Sequence, residues 1–89
     1  MSPFRESRIY RRLTPKWIDG ELNTTRRATL PYLSVMQKTI VQSYWGIGID
    51  APRTLREIAE HQGLTLNRTR ALLDRAVRTL LLAHAERNQ

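Results

Sequence analysis

Apolar residues from Leu33 onward recur at helical spacing, and each run is bounded by residues that start or stop helices. Leu33, Met36 or Gln37, Ile40, Val41 and Tyr44 form one inward stripe. Ser34 opens that helix, with Gln37 completing an S-x-x-Q capping box, and it runs to about Trp45. Gly46 and Gly48 end it, and Pro52 keeps the following linker non-helical. Thr54 is the next N-cap, with Glu57 closing a T-x-x-E box. Ile58 and Ala59 face inward, and the small Ala59 lets another helix cross closely. Gly63 supplies a left-handed turn, Thr65 caps the next helix, and that helix runs from Leu66 to about Glu86. The arrangement is that of a helix-turn-helix, a unit that sets one helix against a nucleic-acid groove.

The last helix carries more apolar surface than a three-helix unit can bury. Thr69, Leu72, Ala76 and Leu80 make one stripe, expected to close the core. Leu66, Leu73, Val77 and Leu81 make another. Two readings follow. Residues 9–33, with Ile9, Leu13, Trp17, Ile18, Leu22 and Leu30, fold back as extra core; or Leu66, Leu73, Val77 and Leu81 are an interface for a homodimer or a protein partner. Residues 1–13 read as a basic arm, with Ser2-Pro3 able to open a short helix. Thr14-Pro15 repeats that signal, and Lys16 to Asp19 make one or two turns before Gly20. Asn23 to Arg27 read as a polar connection. The expectation is an all-α fold. It has a three-helix helix-turn-helix core at residues 31–89, ending in a long C-terminal helix, and a basic helical arm or extension at residues 1–30. No strand pattern or internal repeat is visible.

Composition narrows the chemistry. Eighty-nine residues make one small domain. The absence of cysteine removes disulfides and thiolate metal sites. His61 and His84 lie far apart without a ligand-like carboxylate spacing, so each reads as a solvated or half-buried helix residue. With no nucleophile–base pair, metal spacing or phosphate loop, neither an enzyme nor a cofactor is expected. No segment is apolar enough to span a membrane, and the N-terminus lacks an apolar signal region, which points to a cytoplasmic protein, bacterial or phage-encoded. Trp17 and Trp45 read as core anchors rather than base-stacking platforms. The net charge of +7 suggests a polyanionic partner. Residues 1–27 carry seven basic and three acidic groups, residues 28–52 only Lys38 and Asp50, and residues 53–89 seven basic and four acidic groups. Positive charge therefore sits at both ends.

From Leu33 to about Leu81 the chain resembles region four of the bacterial primary sigma factors, the part that meets the −35 promoter element. The stretches that carry the resemblance are Leu33-Ser34-Val35-Met36-Gln37, Tyr44-Trp45-Gly46-Ile47-Gly48, Thr54-Leu55-Arg56-Glu57-Ile58-Ala59, Gly63-Leu64-Thr65-Leu66-Asn67-Arg68-Thr69-Arg70-Ala71-Leu72-Leu73 and Ala76-Val77-Arg78-Thr79-Leu80. The Gly-Ile-Gly element at this distance from the helix-turn-helix is the most specific of them. The resemblance implies contact with promoter DNA and with the flap of the RNA polymerase β subunit. The candidate DNA-binding residues are Arg53, Thr54, Arg56, Thr65, Asn67, Arg68, Arg70, Arg75 and Arg78.

Two departures stand out. After the capping threonine the family has R-E-R-x-R-Q; here Arg68 and Arg70 remain, but Leu66 and Ala71 replace polar groups, so the consensus −35 sequence is not the expected target. Met36 and Tyr44 stand where the family clamps the DNA backbone with arginines, which removes phosphate contacts. Three functions follow: a sigma-like promoter binder, either free-standing or half of a split sigma factor; a region-four mimic held by polymerase or another protein, which inhibits or redirects transcription; or a helix-turn-helix used only for assembly. Asp74, four residues from both Arg70 and Arg78, reads as helix-face ion pairing.

Overall fold

The computed structural model describes residues 13–27 and 33–87, which form four helices: α1 (Pro15–Arg27), α2 (Val35–Trp45), α3 (Leu55–Gln62) and α4 (Leu66–Arg87). No strand occurs among the described residues.

Helix α1 is longer than the sequence suggests. It starts as expected: the Thr14 hydroxyl accepts a hydrogen bond from the Trp17 amide at 3.1 Å, and Pro15 takes the first turn, where its missing N–H costs nothing. The helix then runs through Gly20 and turns Asn23 to Arg27, read as a polar connection, into further helix. Glycine inside a helix costs about 1 kcal/mol relative to alanine. Burial outweighs that cost here, because Ile18 and Leu22, one turn apart, are 0% and 3% exposed. Tertiary packing overrides the local signal.

The caps of α2 and α3 follow the sequence closely. Ser34 accepts from the Gln37 amide at 3.1 Å, while the Gln37 side chain accepts from the Ser34 amide at 2.9 Å. Thr54 and Glu57 repeat the reciprocal pair at 3.1 and 2.8 Å. Gly46 and Gly63 end the two helices in the left-handed conformation, with φ of 71° and 66°. After Gly46 the chain folds back on itself: the Ile47 amide donates to the Gln42 carbonyl and the Arg53 amide to the Ser43 carbonyl.

Both stripes of α4 are largely internal. Thr69, Ala76 and Leu80 are buried as expected, and so are Leu73 at 0% and Val77 at 2% exposure. Of the two readings of this stripe, Leu73 and Val77 follow the one that makes them core, and their candidacy as partner-facing residues is corrected by their burial. The physical reason is α1, which packs on both α2 and α4 and joins Ile18 and Leu22 to a core with Leu33, Ile40, Val41, Trp45 and Ile58. Leu66 is half-buried, and Leu81 packs against the edge of the core. Leu13 and Trp17 are half-buried against the same core, whereas Ile9 and Leu30 lie outside the described residues, as do residues 1–12 of the basic arm. Trp45 is a core anchor, 7% exposed, and its indole N–H donates to the Leu13 carbonyl at 3.0 Å. That bond ties the start of α1 to the end of α2.

Candidate nucleic-acid face

Position on α4 decides which polar groups can meet a ligand. The helix turns about 100° per residue, so burying Thr69, Leu73, Ala76, Val77, Leu80 and Ala83 leaves the opposite side to solvent. That side presents Asn67, Arg68, Ala71, Arg75, Arg78 and Leu82, all exposed. Thr65 sets where the helix begins, its hydroxyl accepting from the Arg68 amide at 3.1 Å. Thr69 is fully buried, and its hydroxyl donates to the Thr65 carbonyl at 2.9 Å, so burial leaves it satisfied.

The candidate residues thus separate into groups. Asn67, Arg68, Arg75 and Arg78 share the open face of α4. Arg78 is bridged to Asp74 at 3.0 Å, yet its side chain keeps 73% of its exposure. Such a pair contributes a few tenths of a kcal/mol and leaves the outer donors of the guanidinium accessible. Arg70 differs: it is half-buried, and its Nε is buried without a hydrogen-bond partner. The expected i,i+4 pairing with Asp74 is present for Arg78. At the start of α3, Thr54 and Arg56 are exposed and Arg53 is half-buried. Thr54 and Thr65 use their hydroxyls as helix caps, so any nucleic-acid role must share the same oxygen.

Glu57 is held below its ordinary value of 4.5, first by the hydrogen bond from the Thr54 backbone amide, then by the Thr54 side chain and by the charges of Arg53 and His61. A carboxylate with a depressed folded-state value stabilises the fold above its unfolded value, and that contribution is lost as pH falls through the folded value. Melting temperatures of wild type and Glu57→Gln should therefore differ most near neutral pH. The gap should narrow below about pH 4.5; a gap independent of pH would remove the charged form of Glu57 from the stability of α3.

One constellation is not legible in the chain. Glu21 of α1, 8% exposed, meets His84 of α4, with Oε2 and Nδ1 at 3.2 Å. The ring of Trp17 sits edge-on to the same imidazole at 5.4 Å. By sequence His84 is a helix residue without a carboxylate in range; the carboxylate comes from a helix more than sixty residues away. The available signal is that Trp17 and Glu21 lie one turn apart, flanking Ile18 and Leu22. Among the described residues no group of three or more His, Cys, Asp or Glu is placed to hold a metal ion, and no helix is long and apolar enough to cross a membrane. A small recess of about 180 Å³ lies between the end of α2 and α3, lined by Ser43, Ile49, Arg53, Ile58, His61 and Gln62.

The sequence profile of the family described as sigma-70, region 4 matches residues 30–80. No curated protein and no solved structure gives a match. The matched segment is more than half of the chain and spans α2, the glycine turn, α3 and most of α4. The chain belongs to the sigma-70 region 4 family, a family of DNA-binding helix-turn-helix domains of transcription rather than of enzymes.

Proposed function

We propose that this sigma-70 region 4 protein acts in transcription by laying the open face of α4 in the major groove of promoter DNA. The observation that carries the reading is the exposed side of α4, where Asn67, Arg68, Arg75 and Arg78 stand opposite the buried stripe. A helix about 10–12 Å across fits the B-form major groove. In this reading Asn67 and Arg68 approach base edges, while Arg75 and Arg78 run along phosphates. Arg53, Thr54 and Arg56 at the start of α3, with Thr65 at the start of α4, contact the backbone, and Arg70 adds charge from the flank. Residues 31–89 are then the sigma-region-four-like unit, and residues 1–30 are an extension whose helix α1 completes its core.

Salt dependence tests the proposal. Each phosphate contact contributes about one unit to the slope of log affinity against log salt concentration. Arg75→Ala and Arg78→Ala should each flatten that slope by about one unit on a bound promoter duplex, leaving the melting temperature unchanged to within a degree or two. Slopes identical to wild type in both variants would take α4 off the DNA.

A second reading gives the chain a protein partner. Domains of this family bind RNA polymerase as well as promoter DNA, and Val35 at 82% and Ile49 at 37% exposure leave apolar surface on the α2 side. A region-four mimic seated on the polymerase β flap by that side, with little sequence reading by α4, would inhibit or redirect transcription. Co-purification with core polymerase after nuclease treatment, unaffected by Arg68→Ala, favours this reading. Loss of polymerase with the nucleic acid counts against it.

A further inference from the structure

We propose that base reading on α4 is divided among Asn67, Arg68 and Ala71, which select a duplex site combining an adenine, a guanine and a thymine methyl, while Arg70 reads no base. The inference rests on α4 being the helix that enters DNA and goes further by assigning which groups read it. In the first two turns of α4, Thr69 and Leu73 are fully buried. Leu66, Arg70 and Leu72 are half-buried, so only Asn67, Arg68 and Ala71 are exposed. The two threonines nearby are committed to the backbone through the Arg68 amide and the Thr65 carbonyl. Arg70, which in the sequence is equivalent to Arg68, has its Nε buried and stands to the side of the groove-facing residues.

The three exposed side chains have distinct preferences. The Asn67 carboxamide offers a donor and an acceptor side by side, which matches N7 and N6 of adenine. The Arg68 guanidinium offers two parallel donors, which match O6 and N7 of guanine. The Ala71 methyl packs against the 5-methyl of thymine. Asn67 and Ala71 are separated by about 6 Å along the helix, close to two base-pair steps, so all three reach one short run of pairs. Charge complementarity names the occupant as a nucleic acid, since Arg68, Arg75 and Arg78 lie on the same face. Groove width narrows it to B-form DNA, because the major groove of A-form RNA is too narrow for side chains to read.

The test is enrichment of duplexes from a random-sequence pool by the full chain and by its Asn67→Ala, Arg68→Ala and Arg70→Ala variants. Wild type should enrich a short motif containing adenine, guanine and thymine. Arg68→Ala should erase the guanine preference and Asn67→Ala the adenine preference. Each loses about 5- to 150-fold discrimination at one position and leaves the others intact. Arg70→Ala should weaken binding evenly across sequences. If a motif is enriched but survives Asn67→Ala and Arg68→Ala, or shifts with Arg70→Ala, this division of labour is overturned while DNA binding stands. If wild type enriches no duplex even at low salt, the underlying reading of α4 fails. Both key substitutions are at exposed helix positions where alanine is a good helix former, so unchanged far-UV spectra separate lost reading from lost folding.

Discussion

Truncating Ile18 to alanine is expected to cost about 2–5 kcal/mol, a large share of the roughly 5–15 kcal/mol that holds a small domain together. Ile18 is 0% exposed in the core shared by α1, α2 and α4. Its loss leaves a cavity in the core that α1 shares with Leu73 and Val77. Urea unfolding should show a lower midpoint with an unchanged slope. A midpoint within error of wild type would mean that α1 does not dock. The same argument extends to the matched segment alone. Without α1, residues 30–80 leave apolar surface on α2 and α4 uncovered, so a fragment of those residues should unfold over a broader transition than the full chain.

The second large effect is expected at Gly46. Its φ of 71° is in the left-handed region, and a Cβ placed there would lie 2.8 Å from the Pro52 nitrogen and 3.1 Å from the Ala51 carbonyl carbon. The left-handed conformation alone costs a non-glycine residue about 1–2 kcal/mol, and crowding against backbone adds about 1–3 kcal/mol. Gly63 supplies the control. Its φ is 66°, but a Cβ at that position would meet nothing within 4 Å, so Gly63→Ala should show only the conformational cost. Thermal melts of the two alanine variants should therefore differ, with Gly46→Ala the less stable. Equal losses would show that Pro52 moves aside without cost.

Much of this fold is legible in the sequence because its signals are local. A capping box spans four residues, so Ser34 with Gln37 and Thr54 with Glu57 can be read from the chain. A glycine that ends an apolar run, as Gly46 and Gly63 do, needs no tertiary knowledge. The full length of α1 is not legible, because Gly20 and the polar run after it argue for a loop. Only the burial of Ile18 and Leu22 reverses that judgement. Whether Leu73 and Val77 face a partner or the interior is equally undecidable from one helix, since the answer lies in what α1 supplies. The candidate site is partly legible. Arg68 and Arg70 look equivalent as letters, and only their positions around α4 set one on the open face and the other on the flank. The contact of Glu21 with His84 joins two helices far apart in sequence, and no local pattern announces it.

The bond from the Trp45 indole to the Leu13 carbonyl gives the molecule an internal optical reporter. One tryptophan is enclosed and tied to the segment that leads into α1, while the other, Trp17, is half-buried on α1 itself beside His84. Both chromophores therefore sit on the seam between α1 and the rest of the protein, and neither is on the open face of α4. Their emission follows the opening of that seam without a label, and it is insensitive to direct quenching by a duplex lying along the opposite side of the helix.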